Sequence, residues 1–222
     1  MMARGCSEAQ PRSNPFEGGA EAGGNVYDKY GTSNPVARRL MAGFMSQLDE
    51  LVERSGASEA HEVGCGEGEL AIRLAGRGIA MRGTDAFPQV LVEARRRAKA
   101  AGAEIEFEAT PVEQLDPDRH VAELIICCEV LEHLEDPERA LDVLAGLARP
   151  WLLASVPREP LWRTLNLARF SYVGDLGNTP GHLNHWSRRD FVRFLTRRFE
   201  VVDLRSPTPW TMVLCRVQSP PS

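Results

Sequence analysis

The sequence lacks the features that mark membrane-spanning, secreted and disulfide-rich proteins. It has no apolar run of about eighteen residues, which a membrane-spanning helix requires, and no apolar stretch of a signal peptide near its start. The five cysteines are an odd number without C-x-x-C spacing, which argues against a disulfide framework. These absences predict a soluble protein of a reducing, cytoplasmic compartment.

Lysine is nearly absent, since only Lys29 and Lys99 occur among 26 basic residues, and the formal net charge is -5. An acidic chain disfavours non-specific nucleic-acid binding, because such binding neutralises phosphates. We therefore expect no DNA partner and regard RNA as a disfavoured one. Residues 158–205 are the exception, with nine arginines against five acidic residues.

Two regions of different composition divide the chain. Residues 1–24 are rich in Gly, Ala, Ser and Pro without apolar periodicity, which is typical of a disordered tail. From Asn34 the pattern changes, because Asn34 suits a helix N-cap, Pro35 suits the first turn, and apolar residues follow at helical spacing up to Gly56. We expect a single domain over residues 25–218, with 43% hydrophobic residues in the whole chain to supply its core.

Short apolar runs then alternate with helical runs. The predicted strands are 60–63, 80–84, 104–108, 124–128, 151–156, 200–204 and 211–217. The predicted later helices are 69–76, 88–101, 137–147, 159–170 and one that begins at the capping pattern Ser187-x-x-Asp190. This order predicts an α/β fold: a Rossmann-like, open, mostly parallel seven-stranded sheet with helices on both faces and an antiparallel C-terminal hairpin at its edge.

A glycine-rich turn follows the first predicted strand, in the run Glu62-Val63-Gly64-Cys65-Gly66-Glu67-Gly68. Glycines let a ligand approach the backbone closely, and the next helix presents free N–H groups. The spacing G-x-G-x-G differs from the G-x-G-x-x-G of dinucleotide-binding proteins, which argues against a dehydrogenase. Glu62 and Glu67 would repel a pyrophosphate and favour a ligand with an ammonium group.

A carboxylate stands at the end of the second strand. Asp85 lies 21 residues after Gly64, where it can accept hydrogen bonds from both hydroxyls of a ribose. Together with the ammonium-favouring turn, it describes a nucleoside that carries an amino acid, namely S-adenosylmethionine. Such a ligand binds outside the carboxyl ends of the strands, beside the first strand.

Three runs resemble motifs of the class I S-adenosylmethionine-dependent methyltransferases: HEVGCGEGEL, Gly83-Thr84-Asp85 and ICCEVLEHLEDP. The resemblance covers residues 26 to 217. It implies that Glu62 and the loop Gly64-Cys65-Gly66 hold the methionine portion, that Asp85 holds the ribose, and that Glu129 lines the cofactor edge. That family often has an aspartate after the third strand to accept a hydrogen bond from the adenine amino group. This chain has Thr110-Pro111-Val112-Glu113 there, so we expect backbone near Val112 to contact the adenine instead.

The run Tyr27-Asp28-Lys29-Tyr30 resembles the segment that folds over the cofactor in small-molecule methyltransferases. Tyr27 or Tyr30 would then press against the sulfonium by cation–π attraction. Packing of this segment on the first helix is the alternative interpretation.

The residues after the fourth strand offer two carboxylates and an imidazole in E-x-x-E-H spacing, namely Glu129, Glu132 and His133. The Asn/Asp-Pro-Pro-Tyr/Phe run of many nucleic-acid amino methyltransferases is missing, which disfavours N-methylation of a base. A helical turn from Val130 would bring these side chains together to bind Mg²⁺ or Mn²⁺, with a fourth ligand from elsewhere. The candidates for that ligand are His182 and His185. An ion bridged by two neighbouring hydroxyls would activate one of them, which points to O-methylation of a diol or catechol.

Two subfamilies share the EVLEH run. Similarity to the small-RNA 3′-end 2′-O-methyltransferases implies His182 as the further metal ligand. Similarity to the O-methyltransferases of ubiquinone biosynthesis implies a catechol-like acceptor and a membrane-touching segment after the fifth strand. Residues 158–173 alternate arginines with large apolar residues, which suits such peripheral membrane contact, a greasy substrate or a solvated lid.

Other interpretations stay open at this point. Without a metal, His133, His182 or His185 would act as a general base, or each would form structural hydrogen bonds only. We expect O-methylation of a small-molecule or lipidic hydroxyl by a monomer or homodimer. The alternatives are an RNA 2′-O-methyltransferase and a catalytically silent S-adenosylmethionine-binding protein.

Overall fold

The computed structural model describes residues 34–162, 164 and 181–218. The predicted tail, residues 1–24, lies outside this part, as do Tyr27 and Tyr30. Most of the predicted membrane-touching segment 158–173, and with it most of the predicted helix 159–170, also lies outside. Among the described residues, no helix is long and apolar enough to cross a membrane.

Seven strands and six α-helices lie wholly within the described part. The strands are β1 (Glu59–Val63), β2 (Ala80–Asp85), β3 (Glu106–Ala109), β4 (Ala122–Cys128), β5 (Ala148–Pro157), β6 (Phe199–Arg205) and β7 (Trp210–Val217). The helices are α1 (Pro35–Ser55), α2 (Glu69–Ala75), α3 (Pro88–Ala100), α4 (Pro117–His120), α5 (Pro137–Leu147) and α6 (Arg188–Leu195). Two short 3₁₀ turns, Val112–Gln114 and Leu131–His133, follow β3 and β4.

The strands form one sheet in the order β3-β2-β1-β4-β5-β7-β6. The first five strands of this order are parallel, whereas β7 is antiparallel to both of its neighbours. This confirms the predicted seven-stranded, mostly parallel sheet with an antiparallel hairpin at its edge. The chain reverses its direction of winding between β1 and β4, and a crevice for a ligand lies outside the carboxyl ends of strands at such a point.

Helices cover both faces of the sheet, as predicted. One core joins α1, α2 and α3 to the sheet, and a second core on the other face joins α5 and α6 to it. Strand β4 shows why its residues are apolar throughout: Leu124 and Ile126 pack into the first core, and Ile125 and Cys127 into the second. A parallel strand covered on both faces needs such a continuous apolar run.

The predicted helix caps are confirmed. The Asn34 side chain accepts a hydrogen bond from the Val36 N–H at 2.9 Å, and the Ser187 Oγ accepts one from the Asp190 N–H at 3.2 Å. At the other end of α1, Gly56 caps the helix with a φ of 66°. These local signals act through neighbouring backbone groups, which is why the sequence alone locates them.

Strand ends differ from the prediction by up to three residues. β5 begins at Ala148, immediately after α5, because Ala148 pairs with Ala122 at the start of β4. β3 begins two residues later than predicted. The helix α4 was not predicted; Asp116 caps it by accepting from the Asp118 N–H at 2.9 Å, and its four residues are too few for a helical period.

Candidate active site

The glycine loop, residues 64–68, connects β1 to α2 at the carboxyl edge of the sheet. Gly64, Gly66 and Gly68 all have positive φ values of 74°, 51° and 79°, which glycine adopts without steric cost. Gly64 is required for a second reason, because a Cβ atom there would overlap the Val130 side chain. A Cβ at Gly66 would meet nothing within 4 Å, so that glycine faces open space.

Backbone hydrogen bonds fix this loop to the end of β2. The N–H groups of Gly64 and Cys65 both donate to the Thr84 carbonyl, at 2.7 and 2.9 Å. The Cys65 side chain is turned into the core, where burial raises the pKa of its thiol. Cys65, a predicted cofactor residue, therefore has only its backbone available for a ligand.

Glu62 is buried at the end of β1, with 4% of its surface exposed. One carboxyl oxygen accepts a hydrogen bond from the Ala71 N–H of α2 at 2.9 Å. Burial, together with the nearby Asp85 charge, raises the pKa of Glu62 to about 8. The carboxyl group is therefore mostly protonated at neutral pH, and a ligand ammonium placed beside it would favour the ionised form.

Asp85 holds the loop and the start of α3 at the same time. Its Oδ2 accepts from the Gly66 N–H at 2.8 Å, and its Oδ1 accepts from the Phe87 N–H at 2.9 Å. Each carboxylate oxygen has two lone pairs, so these bonds leave acceptor capacity for ribose hydroxyls.

Glu67 lies beside a cation in the folded chain. The Arg97 guanidinium of α3 lies 2.5 Å from the Glu67 carboxylate and also pairs with Glu69 and Glu93. Arg97 thus offsets part of the negative charge of Glu67, and repulsion of a pyrophosphate by this loop stays a prediction.

The segment after β3 lies beside Asp85, because the Thr110 N–H donates to the Asp85 carbonyl at 2.9 Å. Val112 follows at the start of a 3₁₀ turn with its side chain buried, so that its backbone is the part available to a ligand. Adenine contact there stays a prediction. Phe87, which sequence reasoning did not single out, is 42% exposed next to Asp85; its signal is an aromatic residue directly after the ribose carboxylate.

Glu129 follows β4 and has a φ of 60°, which is rare for a residue with a side chain. Its two carboxylate oxygens accept hydrogen bonds from the Ser155 hydroxyl at 3.1 Å and from the Trp210 indole N–H at 2.7 Å. Ser155 and Trp210 were not predicted as site residues, because no local pattern links strands β5 and β7 to Glu129.

A carboxylate–imidazole cluster consists of Glu132, His133 and His182, whose ligand atoms lie within 4.8 Å of one another. The structure thus brings together three of the four predicted metal ligands, while Glu129 is not part of this cluster. The 3₁₀ turn places Glu132 and His133. The segment with His182 is attached to that turn, because the N–H groups of Leu183 and Asn184 donate to the Glu132 carbonyl at 2.8 and 3.0 Å.

The orientation of His133 follows from one contact. Its Nδ1 lies 2.9 Å from the Gly181 carbonyl oxygen, which can only accept, so Nδ1 carries the proton in the neutral ring. The lone pair is then on Nε2. His185 lies beside the cluster, with its ring centroid 6.5 Å from that of His182 and its Nδ1 3.7 Å from Glu159.

Aromatic rings connect α1 to this cluster. The Trp210 ring packs on Phe44 at 5.1 Å between centroids and on Trp162 at 6.0 Å. Trp162 in turn stacks on His182 at 6.2 Å. Trp162 thus links the buried Trp210 to the His182 ring.

The chain is similar in sequence to known methyltransferases. Residues 60–150 match a family model described as a methyltransferase domain. The chain is 32% identical over 146 residues to the ubiquinone biosynthesis O-methyltransferase of Methylocella silvestris, covering 64% of this chain and 56% of that protein. The chain therefore spans little more than half the length of this relative.

Solved structures share the fold. The magnesium protoporphyrin IX methyltransferase of Synechocystis PCC 6803, with bound S-adenosylhomocysteine, superposes with a TM-score of 0.66 at 22% identity, covering 85% of this chain and 90% of that chain. The N-methyltransferase NodS of Bradyrhizobium japonicum has a TM-score of 0.64 at 22% identity, covering 87% and 94%. These likenesses support the resemblance to the class I S-adenosylmethionine-dependent methyltransferases: residues 60–150 match a methyltransferase domain, and the chain shares the fold of such enzymes.

Proposed function

We propose that the protein is a methyltransferase that transfers the methyl group of S-adenosylmethionine to an oxygen atom of a small-molecule or lipidic acceptor. One observation carries this proposal: the glycine loop, Glu62 and Asp85 lie at the same edge of the sheet as the carboxylate–imidazole cluster. The similarity to ubiquinone biosynthesis O-methyltransferases supports oxygen as the acceptor atom.

The residues at β1 and β2 would bind the methyl donor. Glu62 would face the ammonium of the methionine portion, since a cation in this buried place favours the ionised carboxylate. Asp85 would accept from the ribose hydroxyls while it holds the glycine loop. Backbone near Val112 would contact the adenine, and Glu129 would line the sulfonium side of the cofactor.

A histidine would act as the general base for transfer. As the acceptor oxygen attacks, an O–CH₃ bond forms and the C–S bond breaks, with its electron pair going to sulfur. The hydroxyl proton passes to the imidazole, for which the Nε2 lone pair of His133 is the best oriented candidate. His182 and His185 are the alternatives, because both rings lie within the same group of side chains.

A divalent ion at the carboxylate–imidazole cluster is the alternative to a histidine base, because an imidazole that binds a metal has no lone pair left for the proton. Two imidazoles and one carboxylate suit Mn²⁺ better than Mg²⁺, because Mg²⁺ prefers oxygen ligands alone. Glu132, His133 and His182 would hold it, and a bound ion would lower the pKa of a coordinated acceptor hydroxyl. A catechol or another vicinal diol offers two oxygens to such an ion, and the partly exposed Trp162 ring beside His182 suits an aromatic acceptor.

Calorimetry tests both halves of this proposal. S-adenosylhomocysteine should bind the wild-type protein, and Mn²⁺ should then bind with micromolar affinity. Glu132→Ala should abolish Mn²⁺ binding, whereas Glu135→Ala, the same change at an exposed neighbour, should leave it intact. Failure of S-adenosylhomocysteine to bind would refute the methyltransferase assignment, and equal Mn²⁺ binding in both variants would refute the metal site.

The acceptor is tested by incubation with methyl-labelled S-adenosylmethionine and a panel of catechols, monophenols and amines, read out by mass spectrometry. We expect label on a hydroxyl oxygen and the highest turnover with catechols. Label on amines alone would contradict O-methylation. Binding of the cofactor without transfer to any acceptor would support the catalytically silent alternative.

An RNA 2′-O-methyltransferase is a second candidate, because His182 joins Glu132 and His133 in the way that the small-RNA enzymes imply. A ribose at an RNA 3′ end also presents two adjacent hydroxyls. Label transfer to a short RNA with a terminal 2′,3′-diol, but not to its 3′-deoxy counterpart, would favour this candidate. Equal lack of transfer to both would exclude it.

A further inference from the structure

We propose that Trp210 is a positioning residue for Glu129, and that its indole N–H holds this carboxylate on the cofactor side of β4, apart from the carboxylate–imidazole cluster. The inference rests on the proposed methyl transfer. It gives the two glutamates of the E-x-x-E-H run different tasks: Glu129 serves the methyl donor, and Glu132 serves the acceptor.

Three neighbouring strands converge on Glu129. The Trp210 indole N–H from β7 donates to Oε2 at 2.7 Å, and the Ser155 hydroxyl from β5 donates to Oε1 at 3.1 Å. The Glu129 N–H also donates to the Ser155 carbonyl at 3.0 Å. Hydrogen bonds to an ionised carboxylate are stronger than neutral ones, which explains how the left-handed backbone of Glu129 is maintained.

Residues next to the two glutamates pack into different cores. Trp210 belongs to the core on the α1 face, together with Phe44, whereas Leu131 belongs to the core on the α5 face. The adjacent cysteines show the same division. Burial is the main cause that raises the pKa of both thiols. In addition, the Glu129 charge raises the pKa of Cys128, and the Glu132 charge raises the pKa of Cys127.

Glu129 is adjacent in sequence to a residue that packs on the glycine loop. Its neighbour Val130 packs so closely on Gly64 that any Cβ there would overlap it. A carboxylate held at this place by Trp210 lies where it can balance the positive charge of a bound methyl donor. Trp210 is only 5% exposed and packs on Phe44, so the hydrogen-bond donor is itself well anchored.

A double-mutant cycle on S-adenosylmethionine affinity tests the proposal, since this ligand carries the positive sulfonium. Trp210→Phe keeps the ring and removes the N–H, and Glu129→Gln keeps the shape and removes the charge. We expect each single variant to bind S-adenosylmethionine about tenfold more weakly than wild type. The double variant should show the same loss of about tenfold, because both changes remove the same interaction.

Two controls separate positioning from general destabilisation. Trp151→Phe makes the same change in the first half of β5, where Trp151 pairs with Arg216, and Glu135→Gln makes it at an exposed glutamate near the site. Both should bind S-adenosylmethionine within about twofold of wild type. Thermal denaturation of each variant shows whether it is folded under the conditions of the titration.

Additive losses, giving about a hundredfold in the double variant, would overturn the proposal, as would unchanged affinity of Trp210→Phe. If Trp210→Phe does not fold, Ser155→Ala replaces it in the same cycle, and additivity there would overturn the proposal equally. Failure of the wild-type protein to bind S-adenosylmethionine would instead remove the proposed function itself.

Discussion

The donor side of the site and the acceptor side differ in how far apart their residues lie along the chain. On the donor side, Glu62, the glycine loop and Asp85 come from two consecutive strands, and backbone hydrogen bonds fix them. On the acceptor side, His133 contacts Gly181 across 48 residues, and Asn184 reaches the Leu134 carbonyl across 50. Apart from the proposed Trp210–Glu129 pair, the donor side is thus specified by local backbone geometry, and the acceptor side by tertiary packing.

This difference has a consequence for how each side tolerates change. A backbone-built loop has no alternative conformation once its glycines are replaced, so substitutions there should act on folding and donor binding together. Substitution of a side chain that meets its partner from a distant segment should instead alter one property at a time, either stability or the binding of one ligand. Four experiments test that contrast.

The largest effect is expected from Gly64→Ala. The added Cβ would overlap Val130, and residue 64 would have to keep a φ of 74°, which is strained for alanine. We therefore expect a loss of about 4 kcal/mol in the free energy of unfolding and no measurable S-adenosylhomocysteine binding. Gly56→Ala is the matched control, because Gly56 has a φ of 66° and nothing within 4 Å of its Cβ position. It should cost only about 1 kcal/mol, by chemical denaturation. Equal losses in both variants would show that the Val130 contact does not matter.

The next effect is a pH dependence of stability from two adjacent residues of β1. Burial lowers the pKa of His61 from 6.5 to about 4, so the unfolded state binds the extra proton and stability is lost as the pH falls from 6.5 to 4. Burial raises the pKa of Glu62 from 4.5 to about 8, so the folded state binds the extra proton and stability is lost as the pH rises from 4.5 to 8.

The two contributions oppose each other between pH 4.5 and 6.5, and each is about 3 kcal/mol or more in full. Urea denaturation across this range should therefore give a nearly flat region. Glu62→Gln should leave stability rising from pH 4 to 6.5, and His61→Asn should leave it falling from pH 4.5 to 8. Parallel profiles of the two variants would contradict this assignment.

Asp85→Ala should have a smaller effect on stability but a clear one on donor binding. It removes the acceptor for the Gly66 and Phe87 N–H groups and the proposed ribose contact, so we expect S-adenosylhomocysteine affinity to fall by about tenfold or more. Asp116→Ala removes a comparable cap at α4, at a residue not proposed to contact the donor, and should leave the affinity unchanged. Calorimetric titration measures both, and equal affinities would remove Asp85 from the ribose.

The smallest effect is expected on the acceptor side. Asn184 donates through its side-chain amide to the Leu131 and Leu134 carbonyls at 3.3 and 2.6 Å, which ties the His182 segment to the 3₁₀ turn. Asn184→Ala should cost about 1 kcal/mol of stability and weaken Mn²⁺ binding severalfold without changing S-adenosylhomocysteine affinity. Asn34→Ala, at the α1 cap, should cost a similar amount and leave Mn²⁺ binding unchanged. Weaker donor binding in Asn184→Ala would show that the two sides are coupled.

The same contrast explains how much could be predicted from the sequence. The alternation of strands and helices, the Asn34 and Ser187 caps and the glycine loop all depend on neighbouring residues. Strand ends depend on partners instead, and β5 starts early because Ala148 pairs with Ala122. The pattern around Ala148 contains no sign of that partner.

In the candidate site, the positions of Glu62 and Asp85 near the strand ends could be predicted, because each lies at or next to the last residue of a strand that precedes a turn. Arg97 could not be linked to Glu67, since α3 meets the glycine loop only in the folded chain. Ser155 and Trp210 escaped prediction for the same reason. Their roles depend on β7 lying next to β5, which the order of elements along the chain does not reveal.

Strand β7 fills the space between β5 and β6, although β6 precedes it in the chain. Among the strands that the structure describes, β6 therefore has no neighbour to pair with until residues 210–217 have left the ribosome. A nascent chain that stops before Trp210 would expose the edges of both β5 and β6, and such edges promote association with other chains. Closure of the sheet therefore has to wait for β7, the last of the described strands to be synthesised.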